Sequence, residues 1–214
     1  MRSDLVLSRG QASELAPGWR YLLGRLHLSV TAGGFAEALE VVSRIGAATA
    51  EHEPHPDVDI RDSRIHLSLG NSAGVTDRHV VVANAISVLL DALDLDLEPT
   101  RGTEVEIAID AMDIAAIKPF WAAVLGYPDD REDEVVDPDR RGPNVWFQQM
   151  DEPRPQRNRM HIDVTVAHDQ AAARLRAALA AGGRLVSDHE APSFWVLADA
   201  EGNEACICTW QNRD

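Results

Sequence analysis

EVEIAIDAMD at residues 104–113 and RMHIDVTVAHD at residues 159–169 open two stretches that run through the same order of elements. Each phrase alternates apolar and polar side chains, as a strand with one buried face does. The first leads into IAAIKPFWAAVLG and the second into QAAARLRAALAAGG, both helical in composition. Both close on glycine, Gly126 in one and Gly182 or Gly183 in the other, where a left-handed residue can end a helix. Short strands follow around Asp133–Val136 and Asn144–Gln149 in the first copy, and around Arg184–Ser187, Ser193–Leu197 and Glu204–Thr209 in the second. An internal repeat of this kind predicts two similar modules packed into one curved sheet.

Upstream the pattern is different. Arg25–Val30 (RLHLSV) and Ser63–Leu69 (SRIHLSL) alternate as strands, and FAEALEVVSRIGAAT at 35–49 places Phe35, Leu39, Val42 and Ile45 at helical spacing. Thr76 opens a second long helix, TDRHVVVANAISVLLDAL, from an N-cap position with Asp77 in the first turn. The acidic run Asp91–Thr100, ending Glu98-Pro99-Thr100 before Arg101-Gly102, breaks the pattern as a linker would. The expected organisation is therefore α+β in two domains, residues 1–98 and 103–214.

Composition removes several classes of function. A formal charge of -15 opposes a phosphate backbone, whose binding rests on Lys and Arg, so nucleic acid is not an expected partner. No apolar run reaches the roughly 20 residues that cross a bilayer, and residues 1–10 lack the pattern of a signal peptide. A cytoplasmic protein with no membrane partner is expected. Cys206 and Cys208 lie two apart on one expected strand, a poor geometry for a disulfide, so both thiols are expected to be reduced.

The densest polar cluster is Glu51-His52-Glu53-Pro54-His55-Pro56-Asp57-Val58-Asp59-Ile60, read as a turn between the first helix and the strand at 63–69. Imidazoles among carboxylates can act as general acids or bases near neutral pH; a solvated loop stiffened by proline is the alternative reading. The order Trp19, the strand at 26–30, a helix, His55-Pro56-Asp57-Val58-Asp59, Arg64-Ile65-His66-Leu67, Ala73-Gly74-Val75-Thr76-Asp77-Arg78 and a final helix resembles the pterin-4a-carbinolamine dehydratases. That resemblance implies a four-stranded antiparallel sheet with helices on one face, a pterin ligand, dehydration of a 4a-hydroxytetrahydropterin, and a homo-oligomer.

The chain departs from the family's signature. Pro54 replaces the first His of the His-His-Pro triplet, the turn Gly70–Gly74 holds no third His, and His79 stands where the family has an acid. Proline carries no proton, so the resemblance implies an altered active site. His55 is the leading catalytic candidate, with Asp57 beside it as a ligand-binding residue. His52, His66 and His79 are candidates to compensate, although strand alternation puts His66 with Arg64 and Ser68, opposite Ile65 and Leu67.

In the second half, Phe120-Trp121, Leu125-Gly126, the loop Asp137–Pro143 and Asp199-Ala200-Glu201-Gly202-Asn203-Glu204 resemble the glyoxalase-like branch of the vicinal-oxygen-chelate superfamily. The resemblance implies paired βαβββ modules closing into a half-open barrel that holds a ligand, with or without a divalent metal. Carried over by position, the metal candidates are Glu106, Gln148, His161 and Cys206, with Glu204 on the same strand face as Cys206. Trp146 and Trp195 are candidates to line the barrel, and Arg140, Arg141 or Arg157 to meet an anionic ligand. Trp121 on the helix reads more simply as core. The expected function is small-molecule lyase chemistry, dehydratase-like or glyoxalase-like; the alternative is a protein that binds small molecules without transforming them.

Overall fold

The computed structural model describes residues 5–95, 97–98, 102–115, 117–118, 122, 127–152, 160–180, 183–198 and 204–213. By its internal contacts the chain divides into two compact units, Met1–Gly102 with Trp210–Asp214, and Thr103–Thr209. The sequence reading ran the second domain on to residue 214. The closing residues instead belong to the first unit, where Trp210 approaches Gly10.

In the first unit, α1 (Arg9–Leu15) starts at a capping box: Ser8 Oγ accepts the Gln11 N–H and the Gln11 side chain accepts the Ser8 N–H. The four-stranded antiparallel sheet runs in the order β1-β2-β4-β3, with β1 at Arg20–Leu22, β2 at Arg25–Thr31, β3 at Asp57–Arg61 and β4 at Arg64–Leu69. Leu23 and Gly24, both at positive φ, make the two-residue turn between β1 and β2, the backbone that matches strand twist in a tight hairpin. Asp62, at φ 54, turns β3 into β4. The stretch 57–60 is therefore edge strand rather than turn: Ile60 pairs with Ile65 and Val58 with Leu67, so their alternation continues the apolar face.

That face carries Leu26, Leu28, Val30, Ile65, Leu67 and Leu69, all buried in one cluster against α2 (Phe35–Ala48) and α3 (Asp77–Ala92). α2 contributes Ala38, Val41 and Ile45, and α3 contributes Val82, Ala83, Ile86 and Leu90. Burying each large aliphatic side chain is worth about 1.5–3 kcal/mol, so this face fixes which side of the sheet the helices cover. Trp19 joins the cluster and satisfies its indole N–H on Ser87 Oγ at 3.1 Å.

The second unit holds a seven-stranded mixed sheet that does not close, in the order β6-β7-β5-β8-β11-β10-β9. Its strands are β5 (Thr103–Ala111), β6 (Glu134–Val135), β7 (Asn144–Gln149), β8 (Met160–Val166), β9 (Arg184–Ser187), β10 (Phe194–Ala198) and β11 (Glu204–Cys208). The repeat is visible in the pairing. β5 runs parallel to β7, and β8 parallel to β11, each pair being joined through a crossover, while β5 and β8 meet antiparallel at the centre. Ile114, Ala115, Ile117, Lys118 and Ala122 are helical in the first crossover, and Ala171–Ala180 is the helix of the second. One core joins Ile109, Ala122, Val135, Val145 and Phe147; another joins Val166, Ala171, Leu197 and Ile207. Phe120, Trp121, Gly126, Arg157, Gly182 and residues 199–203 lie outside the described residues.

Candidate functional site

Alternation leaves each sheet one polar face. In the first unit that face is set by register: Asp59 opposes His66, which opposes Ser29, while Asp57 opposes Ser68, which opposes His27. His66 Nδ1 lies 3.0 Å from Ser29 Oγ and His66 Nε2 lies 3.2 Å from His27 Nδ1. Burial pushes the His27 pKa down to about 3, with His66 and Arg25 adding to the effect. Burial also lowers His66, against the pull of Asp59. Burial thus holds both rings toward the neutral form.

The four histidine candidates of the first unit do not gather. His55 sits before β3 with its side chain 53% exposed and Glu53 at 3.4 Å. His52 is half-buried just past α2, its Nδ1 without a hydrogen bond among the described residues. His79 is buried in the first turn of α3, where Nδ1 accepts the Thr76 N–H at 2.9 Å and meets Thr76 Oγ1 at 2.8 Å. Its ring reaches back to the residue that caps the helix, a placement that removes Nδ1 from any shared catalytic pocket. Among the described residues, His52, His55 and His66 share no hydrogen bond with one another. Asp57 pairs with Arg25, which also donates to Ser68 Oγ and the Gly70 carbonyl.

The second unit converges more strongly. His161 on β8 has Nδ1 3.0 Å from Asp163 Oδ1 and Nε2 3.6 Å from Asp110 Oδ1, and both carboxylates are buried. Cys206 Sγ lies 3.8 Å from His161 Nδ1, and Trp146 meets the ring edge-on at 6.1 Å between centroids. The hydrogen bond to Asp163 raises the His161 pKa, opposed by burial and helped by the charges of Asp163, Asp110 and Glu204. Burial, then the nearby carboxylates, push the Cys206 thiol far up. The imidazole is thus held toward its protonated form beside a thiol that keeps its proton.

Of the five metal candidates read from the sequence, His161 and Cys206 come together, and the third donor is Asp163, which the sequence reading passed over. One ligand atom from each lies within 4.8 Å of the others. Asp110 was missed as well. The signal was present: His161 and Asp163, like Glu106 and Asp110, sit an even number of residues apart on one strand and share a face. Glu106 opposes Asp163 across β5 and β8, exposed Glu204 acts on His161 through its charge, and Gln148 is exposed beside Asp110 in register.

Trp195 is on the other face, packed against the cluster of Val166, Ala171, Leu197 and Ile207, because it pairs with Ile207 across β10 and β11. It does not line the polar face. Arg140 and Arg141 lie in the loop where the Asp137 carboxylate accepts the backbone N–H groups of Asp139, Arg141 and Gly142, and Arg141 is exposed. A nitrogen, an oxygen and a sulfur donor on one face fit a divalent ion of borderline softness, so the residues present are compatible with a metal.

Residues 6–89 match the family described as Pterin 4 alpha carbinolamine dehydratase, and residues 106–208 match the Glyoxalase-like domain. A Mycolicibacterium smegmatis protein named as a pterin-4-alpha-carbinolamine dehydratase is 33% identical over 90 residues, covering 40% of this chain and 96% of that one. A Brucella melitensis structure titled transcriptional coactivator/pterin dehydratase aligns at 17% identity and a TM-score of 0.34, over 37% of this chain and 89% of that one. A member of the glyoxalase/bleomycin resistance protein/dioxygenase superfamily from Vibrio splendidus aligns at 16% identity and a TM-score of 0.34, over 50% of this chain and 99% of that one. No helix among the described residues is long and apolar enough to cross a membrane. The chain belongs to the pterin-4a-carbinolamine dehydratase family over residues 6–89 and carries a glyoxalase-like domain over residues 106–208.

Proposed function

We propose that this chain is a small-molecule lyase whose chemistry is centred on His161, with a dehydratase-like first unit whose active site is altered. The observation that carries the reading is one imidazole held 3.0 Å from Asp163 and 3.6 Å from Asp110 on the polar face of the second sheet. An imidazole so placed can donate a proton to a departing oxygen, and a neighbouring carboxylate stabilises the charged ring before the transfer. Trp146 supplies an aromatic wall against the same ring, suited to a flat or partly apolar ligand.

In a metal-bound form His161, Asp163 and Cys206 would hold a divalent ion, with His161 then a neutral ligand in place of a proton donor, and the ion would polarise a ligand oxygen. Binding requires the Cys206 proton, and any proton held on His161, to leave, so uptake of metal at this site should release protons and weaken as pH falls. In the first unit, His55 with Asp57 nearby is the surviving candidate for acid–base work on a pterin ligand. The reading extends to a cytoplasmic homo-oligomer in which Cys206 and Cys208, both buried and free, stay reduced.

The test compares the protein with His161→Ala, by elemental analysis and by turnover of a panel of small carbonyl compounds. Loss of bound divalent ion or of turnover in the variant supports the reading; metal and turnover both indifferent to the change sink it. A second reading, binding without chemistry, is favoured for the first unit by the exposure of His55 and its lack of a hydrogen-bonded second histidine among the described residues.

A further inference from the structure

The polar face of the first sheet carries a pocket of about 270 Å³ lined by Ser29, Asp59, Arg61, Arg64 and His66. It is built on β2, β3 and β4, and neither His55 nor His161 lines it. The proton positions around it follow from counting donors. His27 donates to the Leu22 carbonyl, and a neutral imidazole has a single N–H, so the nitrogen facing His66 must accept. His66 therefore donates through Nε2 to His27, which leaves its own Nδ1 as an acceptor. The Ser29 hydroxyl, 3.0 Å away, gives its proton to that nitrogen. The chain of bonds runs one way, from Ser29 through His66 and His27 to the backbone. Both nitrogens of His66 are used, and the Ser29 oxygen presents only lone pairs to the pocket.

The charged groups divide as unequally. Arg61 places Nε and Nη2 each 2.9 Å from Asp59 Oδ2, so one guanidinium is taken and the carboxylate keeps its other oxygen. Arg64, in register with Arg61 and Thr31, makes no hydrogen bond or ion pair among the described residues. A guanidinium without a partner is a fork matched to a planar oxyanion. Acceptors at Ser29 and Asp59 call for a donor on the same ligand.

We propose that this pocket binds a small carboxylate that also carries a hydroxyl or amino group, its carboxylate on Arg64 and its donor on Ser29 Oγ and the Asp59 carboxylate. A carboxylate suits the site better than a phosphate, because Asp59 and a chain of formal charge -15 resist a second negative charge.

The experiment is a titration of the full chain followed by NMR of the imidazole signals, with 3-hydroxybutyrate, butyrate and inorganic phosphate as probes. The hydroxy acid should shift the His66 signals saturably and bind about fivefold more tightly than butyrate, the discrimination one hydrogen bond supplies. Arg64→Gln, a change at an exposed residue, should weaken both carboxylates about tenfold, as loss of a charged hydrogen bond does. Ser29→Ala should leave butyrate binding in place and narrow the preference for the hydroxyl. No saturable shift with 3-hydroxybutyrate, phosphate binding as tightly as the hydroxy acid, or affinity unmoved by Arg64→Gln would each overturn the proposal. Should Ser29→Ala fail to fold, the Arg64→Gln and butyrate comparisons still decide it.

Discussion

The polar faces of the two sheets use the same residue to opposite effect. On the first, His66 and His27 face the Ser29 hydroxyl, Arg25, Asp59 and each other, and burial outweighs the pull of Asp59 and drives both toward the neutral form. On the second, His161 stands between two buried carboxylates, and the hydrogen bond to Asp163 outweighs burial and pulls its proton on. All three histidines lie on strands whose opposite face is core. Burial lowers the pKa of all three rings, and only the carboxylate hydrogen-bonded to His161 outweighs it; the strength of the nearest partner, set against burial, decides the charge of an imidazole.

The largest effect expected on this contrast is loss of one scaffold. Leu67 is fully buried on the core face of β4, next in sequence to His66, and Leu67→Ala should cost about 2–5 kcal/mol in urea unfolding. A cost well under that range would mean the helices do not clamp the sheet that positions His66.

The contrast in charge predicts opposite dependences on pH. His27 is held well below the ordinary value of 6.5, so the unfolded chain takes up a proton that the folded one refuses. Its contribution to stability is present above pH 6.5 and drains away as pH falls toward about 3. Urea midpoints at pH 7 and pH 4 should therefore differ less in His27→Gln than in the unmodified protein. Equal differences would show that His27 is not neutral in the fold.

His161 runs the other way. Its folded pKa is raised above 6.5, so its contribution is complete below the unfolded value and is lost as pH rises through the folded one. The smallest of the three effects is the most local: Asp163→Asn should lower the NMR titration midpoint of His161, because burial then acts with less opposition. A midpoint that stays put would assign the shift to Asp110 or Glu204 instead.

Much of the architecture could be read along the chain. The strands at 25–30 and 63–69, the two long helices and the doubled order after residue 103 are local patterns that announced the type of element. Of Phe35, Leu39, Val42 and Ile45, however, only Ile45 is fully buried: α2 turns Ala38, Val41 and Ile45 to the core and leaves Phe35 and Leu39 exposed. Two elements were legible and passed over: the capping box Ser8-x-x-Gln11 and the strand hidden in the polar cluster at 57–61, where Val58 and Ile60 continue the alternation. The candidate site was read less completely. Strand alternation pairs His161 with Asp163 as directly as it pairs Glu204 with Cys206, yet Trp195, expected to line the barrel, pairs with Ile207 and packs half-buried against the core of the opposite face.

The sequence by itself determined the α+β class, the repeat in the second half and the presence of histidines and carboxylates on polar strand faces, because these follow from side-chain period along one segment. Only the tertiary structure decided which of those groups meet. Cys206 reaches His161 across 45 residues of chain and His27 reaches His66 across 39, through strand order and register that no local pattern encodes. An imidazole's proton is governed by groups within a few ångströms, whatever their distance in sequence, so its charge is a property of the assembled sheet.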